Sequence, residues 1–222
     1  MKKIMMLLLC VAMPLLAIMT SCNNGGYEPT GPMAYGHEYV ELGLSVKWAT
    51  CNVGANKPEA YGDYFAWGET ETKATYSKAN YKWWDAEEKT YTKYFKSLYG
   101  APVLEKEDDV ASVKWGGEWR MPTIQEFREL MDNCEHYYEE YNGINGWRFV
   151  SKINGKSIFL PAAGDYDPKL GSVNKFGSYA TSTLSFRTDS FMQILFDASS
   201  LYYIMDLTAY RSDGVSVRPV MP

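Results

Sequence analysis

Between Ile124 and Cys134 the apolar residues Ile124, Phe127, Leu130, Met131 and Cys134 recur at three- and four-residue intervals, with Arg128, Glu129 and Asp132 between them. That period predicts an amphipathic helix laid against a core along one face. Its start is written in the residues before it. Thr123 stands three residues ahead of Glu126, the spacing at which a hydroxyl and a carboxylate cap each other's backbone amides. Pro122 cannot sit inside the helix, so it marks a corner and the helix is predicted to begin at Ile124.

Around this helix the pattern shifts towards a period of two. Residues 38–42 and 46–53 alternate in part and predict strands, 52–58 reads as a turn, and 61–67 is again strand-like. Residues 148–153 and 156–160 flank Asn154-Gly155, a pair that predicts a hairpin closed by a type I′ turn. Further strands are predicted over 191–196, 201–207 and 215–220, and Asp108 or Asp109 is predicted to cap a short helix through residues 111–114. Residues 70–99 keep no period and are rich in Lys, Thr and Tyr, so they predict a long irregular excursion over the surface. Residues 161–177 read as a loop carrying Asp165, Tyr166 and Asp167. The sum is an α+β fold: antiparallel strands, one or two helices and long irregular loops.

The chain opens differently. Lys2 and Lys3 precede an apolar run from Ile4 to Met19, broken by Pro14 and followed by Thr20, Ser21 and Cys22. A membrane span needs roughly 20 uninterrupted apolar residues, so this run reads as a signal peptide. Small residues ahead of Cys22 resemble a bacterial lipobox, in which Cys22 is lipidated and heads the mature chain; an ordinary signal with a free cysteine is the alternative. The expected organisation is a lipoprotein signal peptide at 1–21, a flexible tether at 22–35, and one domain at 36–222. Export, lipid anchoring to the bacterial envelope and an outer-membrane location follow from that reading. Neither leaflet is favoured.

The run Trp119-Arg-Met-Pro-Thr-x-x-Glu-Phe127 resembles the RLPT-x-x-E-[WF] signature of the formylglycine-generating-enzyme branch of the C-type-lectin-like fold. More closely, the chain resembles the Fibrobacter-type major paralogous domain of secreted bacterial lipoproteins. Residues 38–55, 61–70, 107–115, 157–164 and 214–220 all match blocks of that domain. The resemblance implies a C-type-lectin-like fold whose first and last strands pair, with the long loops at the opposite pole. It implies function less sharply, because that scaffold serves sugar binding, protein binding and one enzyme class.

Composition narrows the choice. Without Lys2 and Lys3 the chain holds 20 basic against 27 acidic residues and no basic cluster, which argues against a nucleic-acid partner. His37 and His136 are the only histidines, so a multi-histidine metal site is excluded. The copper chemistry of the formylglycine-generating enzymes uses cysteines in the C-terminal half, and no cysteine follows Cys134. Outside the cytoplasm Cys51 and Cys134 are candidates for a disulfide, with two buried thiols as the alternative. The carboxylate pairs Glu69 with Glu71 and Asp165 with Asp167 are spaced for a sugar cleft but read more simply as solvated loop residues. No catalytic residue is assigned.

Calcium is the one cofactor left open, with oxygens from residues 107–109 or from Asp165 and Asp167. The 18 tyrosines and 7 tryptophans point to a contact-making surface. Trp48, Trp67, Trp115 and Trp119 lie in framework motifs and are expected in the core. Trp83, Trp84, Asp165, Tyr166, Tyr179 and Tyr210 fall in loops or at strand ends and are the ligand-binding candidates. The expectation is a non-catalytic binding or adhesive protein for a glycan or protein ligand. A structural component of the envelope or a surface appendage is the alternative, and a carbohydrate-active enzyme or accessory module the third.

Overall fold

The computed structural model describes residues 28–95, 102–167, 169–199, 201–202 and 208–222. Among them two α-helices, α1 (Val110–Trp115) and α2 (Ile124–Asn133), stand against sheets that are almost wholly antiparallel. The class is therefore α+β and rich in strand. The lipidation candidate Cys22 lies outside the described residues, and no helix among them is long and apolar enough to cross a membrane.

α2 begins where the capping pattern places it. Thr123 Oγ1 accepts the Glu126 N–H at 3.3 Å, and the Glu126 carboxylate accepts the Thr123 N–H at 2.7 Å. Arg120 adds a forked ion pair to the same carboxylate at 2.8 and 2.5 Å. Burial would raise the Glu126 pKa, but Arg120 and the Thr123 amide outweigh it and the carboxyl is lowered. Asp109 does the same work one corner earlier, capping α1 through the Ser112 N–H at 3.0 Å and taking the Met121 N–H at 2.8 Å. The two helices and the turn between them thus form one hydrogen-bonded unit.

The first sheet runs β1 (Met33–Ala34), β2 (His37–Val40), β3 (Lys47–Ala49) and β15 (Val220–Met221), so the N-terminal strands and the last strand share a sheet. β15 pairs β3, with Val220 opposite Trp48. Residues 33–34, expected in the tether, are instead paired to β2, and the Thr30 and Gly31 amides are held by Glu38. Polar, Gly-containing sequence gave no hint of a strand that exists only because β2 offers it an edge. β4 (Trp84–Asp85) and β5 (Thr90–Tyr91) make a small hairpin inside the excursion.

β6 (Cys134–Tyr141), β7 (Ile144–Ser151) and β8 (Ser157–Pro161) form a meander. The β7–β8 hairpin is real, but not its two-residue turn. Of Asn154 and Gly155 only Gly155 takes positive φ, and the Asn154 side chain donates to Glu41 O at 2.9 Å. That tertiary bond widens the connection to residues 152–156. β9 (Asp165–Tyr166) and β10 (Leu170–Gly171) pair within the expected loop. β11 (Phe176–Leu184), β12 (Ser190–Asp197), β13 (Leu201–Tyr202) and β14 (Thr208–Tyr210) complete the fold, with β12 central.

The apolar stripe of α2 packs Ile124, Phe127, Leu130 and Met131 against Trp48, Phe149, Leu160, Ile194 and Phe196 from three sheets. A second cluster gathers Phe65, Trp67, Leu184, Phe191, Val215 and Val217. Trp48, Trp67 and Trp119 are buried as expected, whereas Trp115 is only partly so. The expected Cys51–Cys134 bridge is absent, and both are free thiols. Cys134 closes α2 inside the main core, while Cys51 sits in the turn wrapped around Arg218, with its Sγ 3.6 Å from Thr50 Oγ1. Each thiol is committed to a different packing environment, and burial raises both, Cys134 to about 11.

Candidate functional site

The excursion that the sequence left without a period is pinned to the sheet by one buried cation. Arg211 follows β14 and is fully buried. It donates to Tyr81 Oη at 3.0 Å and to the carbonyls of Lys93, Thr188 and Tyr94 at 2.8, 3.2 and 3.3 Å. Its guanidinium lies 4.6 Å from the Tyr91 ring and 5.0 Å from the Trp67 ring. A buried charge must be fully hydrogen-bonded to be tolerated, and here backbone and aromatic faces serve in place of a carboxylate. Asp108 ties down the neighbouring stretch through Lys93 at 2.7 Å, Tyr94 Oη at 2.7 Å and Lys82 at 3.1 Å. Burial opposes its charge, yet these three partners lower its pKa.

On this base an aromatic face is assembled from four separated stretches. Trp84 meets Tyr91 at 5.1 Å between ring centres, and the Lys78 ammonium lies 3.6 Å over Trp84. Trp83 is anchored by its Nε1–H to Gly68 O at 3.1 Å. Tyr166 packs against Tyr64 and Tyr76 at 5.2 and 5.0 Å. It is set there by reciprocal backbone bonds with Gly214, 2.8 and 3.2 Å long. Tyr64 and Tyr76 spend their hydroxyls on the carbonyls of Ala163 and Tyr64, so they buttress the face. Trp83, Trp84 and Tyr166 are partly buried, and Tyr210 is 55% exposed.

Three carboxylates border these rings. Asp165 and Asp167 flank Tyr166, and Asp213 accepts the Tyr210 N–H at 3.0 Å. No cationic side chain among the described residues pairs with any of the three. Burial, with the charges of Asp167 and Asp165, pushes Asp213 up to about 7, and burial followed by the charge of Asp167 raises Asp165. A carboxyl raised in the folded state costs nothing below the unfolded pKa of about 3.9, and it destabilises increasingly as pH climbs from there to about 7. Urea unfolding of an Asp213→Asn variant is therefore expected to show a gain over the parent at pH 8 that shrinks at pH 5. Equal differences at the two pH values would remove Asp213 as the titrating group.

Of the expected ligand-binding residues, Trp83, Trp84 and Tyr166 pack in one cluster with Asp165 beside Tyr166, and Tyr210 stands near Tyr91 with its N–H held by Asp213. Tyr179 does not join them. It sits mid-strand in β11 with no exposure, stacked on Phe196 and donating to Pro161 O at 2.9 Å, because its ring lies in the main core. Glu69 is buried and spent on the Lys73 ammonium and Lys82 N–H, whereas Glu71 is exposed towards Lys114, so the two do not face one cleft. Asp108 and Asp109 are likewise committed to lysines and amides. Among the described residues no three His, Cys, Asp or Glu side chains are placed to hold a metal ion.

Asp213, Tyr64, Tyr76, Tyr91 and Arg211 belong to the site or its base and were not legible as such. The run Tyr210-Arg-Ser-Asp-Gly214 carries a turn signal that hinted at the position of Asp213 and at nothing about its neighbours. Chemically the face offers aromatic surfaces and carboxyl groups that have no cationic partner among the described residues. Compared with protein-family models, curated proteins and solved structures, the chain matches none.

Proposed function

We propose that the protein is a lipid-anchored, non-catalytic receptor or adhesin of the bacterial envelope, carried on a C-type-lectin-like scaffold, which binds a glycan through this face. The observation that carries the reading is the convergence of Trp84 and Tyr166 with Asp165, Asp167 and Asp213, next to the exposed Tyr210, from stretches far apart in sequence. Aromatic rings stack on the apolar faces of sugars, and carboxylates accept their hydroxyls. Together they suit a polyhydroxylated ligand, with a positively charged substituent such as an amino group matched to the unpaired carboxylates.

The mature chain, kept in detergent, would be screened on a glycan array with and without calcium. Saturable binding to a related set of glycans is expected, weakened about thirtyfold by Trp84→Ala or Tyr210→Ala if these rings are hot spots. A blank array in both conditions defeats the sugar-binding reading and favours the competing one, an assembly component whose aromatic surface meets another protein.

A further inference from the structure

We propose that the groove between β2 and β8 is a second binding site, separate from the aromatic face, and that it takes a neutral sugar. The cavity measures about 530 Å³ and shares no lining residue with that face. Small-ligand sites fall in this size range and combine apolar walls with a few convergent polar groups. Here the convergence is unusual in being unspent. Tyr141, Ser157, Glu41 and Lys156 all line the groove, and each carries a polar side-chain group. None of these four side-chain groups has a hydrogen-bond or ion-pair partner among the described residues.

The walls that carry them are fixed. Glu38 is buried and bonds the Thr30 and Gly31 amides and the Thr50 hydroxyl, which closes one lip. Arg148 is neutralised by Glu139 at 2.7 Å and lies 4.7 Å from the Tyr141 ring and 5.3 Å from the Phe159 ring, which makes a packed floor. A site of rigid parts loses little entropy on binding.

Charge and backbone then select the ligand class. One free carboxylate and one free ammonium cancel, so the groove does not suit a polyanion or a polycation. β8 is an edge strand, and an extended peptide could be imagined pairing with it. The register opposes this. Ile158 and Leu160 bond inward to β7, so pairing would need the outward groups of Ser157 and Phe159, and Phe159 is 1% exposed. What remains are hydroxyls, one carboxylate and one ammonium around aromatic edges, the set that hydrogen-bonds a neutral ring of hydroxyls.

Isothermal titration of the mature chain in detergent with cellotetraose, chitotetraose and mannotetraose tests this, a zwitterionic tetrapeptide serving as the contrast. At least one tetrasaccharide is expected to bind at millimolar concentration or below. Glu41→Gln, Ser157→Ala and Tyr141→Phe each remove one polar function with little change of shape. At least one is expected to weaken binding about fivefold to tenfold, the worth of one hydrogen bond, with Tyr210→Ala leaving it unchanged. Because Tyr210 belongs to the aromatic face alone, failure of one site is distinguishable from failure of the other. No binding by any of the three sugars, binding indifferent to all three groove variants, or preference for the tetrapeptide would each overturn the proposal.

Discussion

Arg211→Met is expected to lower the melting temperature by about 10 °C, the largest effect of any single substitution near the aromatic face. The side chain is fully buried and its guanidinium supplies donors to one hydroxyl and three carbonyls. Methionine fills much of the volume but leaves those acceptors without partners. Each such loss costs about 1–3 kcal/mol before relaxation, so a total near 4 kcal/mol is reasonable. For a domain of this size each kcal/mol moves the midpoint by about 2–4 °C. The lesion has a local signature too, because Lys93 and Tyr94 belong to the excursion while Thr188 belongs to the β11–β12 turn. Limited proteolysis should cut within residues 70–95 earlier than in the parent. A midpoint within 2 or 3 degrees of the parent, an interval worth about 1 kcal/mol, would show that the buried cation does not hold the excursion down.

Gly164→Ala is expected to cost about 3 kcal/mol and, on the function proposed for the face, to abolish glycan binding there. Gly164 takes φ +71°, and a Cβ there would stand 2.1 Å from Gly171 O and 3.1 Å from Val173 N, both backbone atoms that cannot swing away. Gly155 is the internal control. Its φ of +72° is nearly the same, but nothing lies within 4 Å of its missing Cβ, so Gly155→Ala should pay only the left-handed backbone penalty of about 1 kcal/mol. The difference arises from what β9 and β10 do. They close over Gly164 so that Tyr166 reaches Gly214, and a methyl group in that space unseats it. Chemical denaturation of the two variants side by side measures the gap. Equal losses would mean that the β9–β10 hairpin yields and that the face does not depend on it.

How much of this was legible depended on how local the cause is. The start of α2 was readable from Pro122, Thr123 and Glu126, since capping involves atoms four residues apart at most, and the stripe of α2 from periodicity. The cap of α1 was readable only as Asp108 or Asp109, and the structure uses Asp109. β6 and β11 were not. β6 reads Cys-Glu-His-Tyr-Tyr-Glu-Glu-Tyr, with no clean alternation, because both of its faces are partly wet. β11 is buried on both faces and carries Ser and Thr where a period-two reading wants Val and Ile. Ser178 answers Gln193 at 2.6 Å and Thr181 answers Met192 O at 2.6 Å, so polar residues are tolerated inside only because distant partners meet them. The same logic misplaced Tyr179, whose phenol looked available and is consumed by Pro161 and Asn52.

By itself, then, the sequence determined the elements whose physics is local: the capped helices, the strands flanking Asn154 and Gly155, the strand over β12, and an α+β class. It also supplied the types of residue that gather at the face. Only the tertiary structure decided that Trp84, Tyr166 and Asp213 would come together next to Tyr210, that Arg211 would stand beneath them, and that Cys51 and Cys134 would stay apart. The reason is the range of the interactions. Caps and periodicity act over one or two turns of chain, whereas the face depends on bonds such as Arg211 to Tyr81, formed across 130 residues. No pattern in either stretch encodes its partner.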